Sequence, residues 1–180
     1  MTNPPIGDTF IEGSLSVVQI EFDNVDLGYT TDATEMEFIE DLADILYQQF
    51  GTQPYDKIPT GQAIQITCVL GQITNARMEK LMRGITLSGD GKSMNFGNDL
   101  YRSGRDNFAK EIVIKRVQSD GTVTTDPRFI FTGYVAMPMV TGPVSFEAST
   151  QRGLAVTFYL FKNIAKDSFG YTGYPSSLGL

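Results

Sequence analysis

Glu40, Asp41 and Asp44 place three carboxylates within one short stretch. Such a grouping serves metal binding or general acid–base work when further ligands or a histidine accompany it. The chain contains no histidine, which removes the commonest proton shuttle, the commonest metal ligand and every His-based triad. The ordinary reading of Glu40, Asp41 and Asp44 is a solvated acidic face. Gly91-Lys92-Ser93 ends as a phosphate-binding loop ends, but that motif requires a glycine five residues before Gly91, and Thr86 stands there. The stretch reads as a turn. Cys68 is the single cysteine, so neither an intramolecular disulfide nor a cysteine metal cluster can form within one chain. Its apolar neighbours mark it as a small core residue rather than a nucleophile. The chain carries no catalytic constellation, and the expectation is a protein that is not an enzyme and takes no cofactor or metal.

Charge is distributed unevenly. Residues 1–56 hold 12 acidic and no basic side chains, and residues 57–180 hold 9 acidic and 14 basic ones, for a net −7. Nucleic-acid binders show the reverse, a basic stripe. An acidic segment repels phosphate and argues against tight DNA binding, though not against DNA sliding past it. The ordinary reading of this segment is a solubilising face. Hydrophobic content of 41% and a length of 180 residues suit one domain with a self-sufficient core. No apolar run reaches the roughly 18–20 residues of a membrane span. Met1-Thr2-Asn3-Pro4-Pro5 lacks the basic start and apolar core of a signal peptide, so the chain is expected to stay in the cytoplasm where it is made unless assembled into something larger.

The elements that must position these residues follow from periodicity. Residues 1–13 read as a loose arm. Leu15–Phe22 alternates as a half-buried strand, with turn or bulge signals at Asp23-Asn24 and Leu27-Gly28. Glu35–Phe50 fits two patterns: Phe38, Ile39, Leu42, Ile45, Leu46 and Phe50 have helical spacing, while a strand sets Met36, Phe38 and Leu42 against Glu35, Glu37, Ile39 and Asp41. Pro54, Pro59 and Gly61 punctuate a tight corner, and Gln62–Leu70 alternates as a strand. Thr74-Asn75 as N-cap, Met78, Leu81 and Met82 as apolar stripe and Gly84 as stop predict one short helix over about 74–83. Ile85–Asn107 reads as a long loop, functional or mobile. Further strands are expected over Lys110–Gln118, Arg128–Pro138, Val140–Ser149 and Gly153–Lys162, with an Asp120-Gly121 hairpin turn between the first two. The last strand is apolar on both faces, which predicts that both are buried, one of them against another chain. Asp167–Leu180 reads as a flexible tail. This is a mostly β chain, an antiparallel two-sheet β-sandwich or barrel with one flanking helix, in a single domain over 1–180.

The run Phe50-Gly51-Thr52-x-Pro54, then Asp56-Lys57-Ile58-Pro59-Thr60-Gly61, a strand and a short helix resembles the tail-tube (major tail) proteins of tailed bacteriophages. Val25-Asp26-Leu27-Gly28-Tyr29-Thr30 resembles the first turn of that family, and the likeness covers roughly residues 14–83. The resemblance implies a structural virion protein whose hexameric rings stack into a tube, the conduit for double-stranded DNA ejected into the host. It implies inner sheets joined into a continuous β-barrel, no membrane insertion, and tail sheath, terminator and baseplate or tail-tip proteins as partners. It also implies that Glu35–Phe50 is a strand of the inner sheet, together with Leu15–Phe22. Glu35, Glu37 and Asp41 are then the candidates for the lumen. Leu87, Met94, Phe96, Leu100 and Tyr101 in the long loop, with the termini, are the candidates for ring-to-ring contacts. Arg77, Arg83, Arg102 and Arg105 are candidates for pairing with acidic groups of adjacent subunits. The inner tube of a contractile injection system, passing effectors instead of DNA, fits the same residues. A reading of another class is a ligand- or carbohydrate-binding β-sandwich with Tyr55, Tyr101 and Tyr134 as stacking platforms.

Overall fold

The computed structural model describes residues 17–45, 55–97, 108–142 and 153–174. Alternating apolar residues build β1 (Val18–Phe22), whose Val18, Ile20 and Phe22 are buried. Asp23 and Asn24 both take positive φ, the two-residue turn that short polar side chains favour between antiparallel strands. The turn leads to β2 (Val25–Tyr29). The β1–β2 register shifts between Ile20 and Glu21, where Gly28 sits at φ 88°, so Leu27-Gly28 forms the expected bulge.

The ambiguous acidic segment is a strand, β3 (Glu35–Ile45). Helical spacing loses there because β4 (Asp56–Leu70) pairs with β3 along its whole length. The predicted corner at Pro59 and Gly61 is instead inside β4. The chain accommodates Pro59 with a bulge, since Asp41 faces Gly61 and Leu42 faces Pro59, which leaves Thr60 as the extra residue and suits a proline on a strand edge.

Thr74 caps α1 (Asn75–Leu81) by accepting the Arg77 amide at 3.3 Å. The helix ends before Met82, which is extended, so it is shorter than predicted. Next come β5 (Ile85–Leu87) and β6 (Met94–Phe96), an antiparallel hairpin where a loop was expected. The sequence hid it because its strands are only three residues each, too short to show a period. Four further strands follow: β7 (Lys110–Arg116), β8 (Ile130–Val140), β9 (Leu154–Leu160) and β10 (Gly170–Thr172). The turn at Gly121 (φ 82°) and a short 3-10 turn at Pro127–Phe129 link β7 to β8. Strand β10 lies in the stretch read as a tail and pairs with Phe131–Gly133 of β8. A Cβ on Gly170 would stand 2.2 Å from the Thr132 carbonyl oxygen, so only glycine permits this approach.

The main sheet runs β2-β1-β7-β8-β9-β4-β3, with β10 beside β8. Thr30 bridges Leu70, the Thr31 amide donates to the Val69 carbonyl at 2.9 Å, and the Gly71 amide donates to that of Tyr29 at 3.1 Å. These bonds bring the end of β2 back to the end of β4 and curl the sheet into a barrel. Ile20, Phe22, Ile66, Leu70, Ile112, Leu154, Val156 and Phe158 fill it, and Leu81 of α1 joins the same core. The fold is mostly antiparallel β with one short helix, as the sequence indicates. Strand β1 does not lie beside β3: β7, β8, β9 and β4 stand between them.

The expected N-terminal arm, residues 46–54, the loop beyond residue 97 with Leu100, Tyr101, Arg102 and Arg105, and the strand expected beyond Thr141-Gly142 lie outside the described residues.

Candidate functional site

Strand β4 is longer than its partner β9. Ile64 faces Leu160 at the last β9 pair, so among the described residues Asp56–Ala63 pairs with β3 alone. At about 3.3 Å per residue, this half of the β3–β4 hairpin projects as an arm from the barrel end. Its sequence explains why it need not be covered: the residues of β3 and of 56–63 carry six carboxylates against Lys57.

Strand alternation sorts the arm into two faces. Met36 packs on the barrel core, so Phe38, Glu40, Leu42 and Asp44 continue the interior-facing side. Phe38 is 68% and Leu42 49% exposed, because no opposing sheet layer extends so far. The Gln62 side-chain amide donates to Glu40 at 3.3 Å, and Lys57 pairs with Asp44 at 3.5 Å. Glu35, Glu37 and Asp41 share the opposite, outward face. Register extends that face across the sheet: Glu37 faces Gln65, Gln65 faces Tyr159, and Tyr159 faces Met137. One row away, Glu35, Thr67, Thr157 and Met139 align in the same way. The Thr67 and Thr157 hydroxyls meet at 3.3 Å. Asp41 lies across Gly61, where a Cβ would come within 3.3 Å of its Oδ2. The three predicted lumen residues are thus gathered on one face of the β3-β4-β9-β8 layer.

Two clefts flank the base of the arm. The larger, about 850 Å³, lies between Pro59–Ile64 and Met137, Phe161 and Phe169. The smaller, about 320 Å³, is lined by Phe38, Glu40, Gln62, Ala63, Ile64 and Phe169. Sequence reasoning missed both. The signal available was Phe38, a bulky apolar residue in an acidic strand, which walls the smaller cleft.

No family model matches the chain, and no curated protein does. Solved structures do match at low identity. A chain of the tube-terminating cap of the anti-feeding prophage is 18% identical with a TM-score of 0.45, covering 79% of this chain and 80% of that one. A chain of the sheath–tube complex of an extracellular contractile injection system in its extended state is 14% identical with a TM-score of 0.47, covering 79% and 82%. A chain of the anti-feeding prophage baseplate is 11% identical with a TM-score of 0.38, covering 79% and 85%.

The other predicted residues fall elsewhere. Leu87 and Met94 face each other in the β5–β6 hairpin, half-buried, while Phe96 is exposed at its end. The hairpin is tied to the helix by the Leu87 amide, which donates to Glu79 at 3.0 Å. Arg77 is engaged within the chain: it donates to the Asp26 carbonyl at 2.9 Å and to Gln72 Oε1 at 2.9 Å. Arg83 reaches the Met137 sulfur and sits 5.4 Å from the Phe108 ring centroid. Both guanidiniums are thus engaged within this subunit. Tyr134 is only 9% exposed, against Tyr171 and beneath Lys166, so it offers no open stacking platform. Gly91-Lys92-Ser93 forms the tip of the β5–β6 hairpin, where Asp90 accepts from the Ser88 hydroxyl and the Lys92 amide. These bonds hold the Asp90 carboxyl below its usual range. No group of three or more His, Cys, Asp or Glu side chains is arranged to hold a metal among the described residues.

Proposed function

We propose that this chain is the subunit of a phage tail tube, assembled in hexameric rings that stack around a bore through which DNA passes. One observation carries the reading: a sheet layer, β3-β4-β9-β8, whose end strand β3 has no second partner among the described residues and sets Glu35, Glu37 and Asp41 on its outward face. An edge of eleven residues is a template for another strand. Strand β3 bears five carboxylates and no basic residue, so two β3 edges repel each other and an isologous dimer is disfavoured. Pairing with a different, less acidic edge is heterologous, and a heterologous contact that closes gives a ring. In a closed ring Glu35, Glu37 and Asp41 line the bore. DNA carries one charge per about 1.7 Å of axis, and a carboxylate lining leaves it hydrated and unbound. The arm reaches past the barrel end toward a neighbouring ring, with the β5–β6 hairpin and Phe96 as a second contact.

Electron microscopy of the negatively stained protein over a concentration series, with light scattering for mass, tests this. Rings or tubes with a central hole are expected. A monomer that persists even when tail-tip material is supplied as initiator overturns the proposal.

A further inference from the structure

The loop between β9 and β10 presents Ile164 at 79% exposure, a β-branched residue where turns favour small or polar ones. The loop is held firmly. The Asn163 amide donates to the Ser168 carbonyl at 2.8 Å, and the Asn163 side chain accepts from the amides of Ala165 and Lys166 at 3.0 and 3.2 Å. Lys162 pairs with Asp167 at 2.5 Å, and Lys166 rests 4.0 Å from the Tyr134 ring centroid. A bulky apolar side chain fixed on a rigid loop has little ordering entropy left to lose on contact. It has the character of an anchor.

We propose that Ile164 of one copy seats in the smaller cleft of a second copy of this chain, against Phe38 and Phe169, with Lys166 facing Glu40. Polarity and charge match. The cleft is concave, about 320 Å³ and walled by exposed Phe38, with Glu40 and Gln62 as its polar members. The knob is a single isoleucine beside a lysine. The arm is net acidic, whereas residues 161–168 hold two lysines against one aspartate. Within one copy Ile164 stays exposed, so its own cleft does not receive it. Knob and cleft are different surfaces, and the contact is heterologous. Both lie at the same end of β9: Phe38 and Ile64 of the cleft are in register with Leu160, and Ile164 follows it in the chain. Rotation about an axis running along the strands therefore brings one copy's knob level with the next copy's cleft, a side-by-side contact within a ring. Stacking would oppose the two ends instead. This inference rests on the ring reading above and names which surfaces of neighbouring subunits meet.

Cross-linking tests it while keeping Ile164, Lys166, Phe38 and Glu40 in place. One batch of full-length chain carries Gln62→Cys and a second Ala165→Cys; Cys68 is buried and stays silent. Mixed and oxidised at a concentration where wild type associates, the two batches should give a disulfide-linked pair that neither gives alone. Ile164→Asp should raise the concentration needed for association about tenfold. Lys166→Glu should weaken association, and combination with Glu40→Lys should restore it. Association of wild type with no mixed cross-link overturns this contact and leaves the ring reading intact. Cross-linked homodimers from either batch alone overturn it by showing an isologous contact. No association at any concentration, even with tail-tip material, overturns it together with the ring reading.

Discussion

Asp41 lies over Gly61, while Glu37 faces Gln65 two rows nearer the barrel. That Glu35, Glu37 and Asp41 share a face was legible, because strand alternation is set by the pleat and survives whatever the rest of the fold does. Lysine at all three positions should leave ring and tube formation intact in the microscope while DNA delivery by the virion falls about tenfold or more through attraction of phosphate. Unchanged infectivity would remove the electrostatic role from the bore. Cys68 gives a second test. Burial pushes its thiol up to about 12 from 9.0, so the folded protein holds the proton longer than the unfolded chain does. Stability from this group is intact below pH 9.0 and declines as pH rises from 9.0 toward about 12. A thiol reagent at neutral pH should label the protein only on unfolding, and Cys68→Ala should flatten the alkaline decline seen in denaturant titrations. What the residues did not disclose was the exposure of Phe38 and Leu42. Periodicity reports which residues share a face, and the reach of the neighbouring strand decides whether that face is covered.

The same limit governs the elements. Strands with six or more alternating residues, such as the second half of β4 and β9, were readable. Strands β5, β6 and β10, at three residues each, were not, because their pairing comes from neighbours rather than from their own pattern. Pro59 and Gly61 signalled a corner, and the structure uses them for a bulge in a strand that has one partner there. An edge strand that lacks a donor at one position resists indiscriminate pairing. Pro59→Thr should restore that donor and increase β-rich aggregation of the free subunit, measured by thioflavin fluorescence and light scattering against wild type. Aggregation no greater than wild type would mean that the carboxylates alone guard the edge.

The described residues form a curled barrel-like sheet with an arm, and the Thr30–Leu70 bridge joins parts forty residues apart in a way no local pattern announces. The core itself was legible, since Phe158, Val156 and Leu154 lie in the most apolar stretch and are all buried. Phe158 stands 5.7 Å from Phe22 between ring centroids, bridging β9 to β1 across the interior. Phe158→Ala should cost about 3–5 kcal/mol, read as a lower urea midpoint with unchanged slope, and should leave assembly of the remaining folded protein normal. Strand β4 has a mechanical consequence. It passes as one unbroken element of 15 residues from between β9 and β3 into the arm. Hydrogen bonds of an antiparallel sheet run perpendicular to the strands. A tug along the arm therefore loads many of them in shear at once, where a tether of loop would peel them one by one. Tension applied at the tip is handed directly to the core of the barrel, and the subunit behaves as a rivet with its shank anchored in its own head.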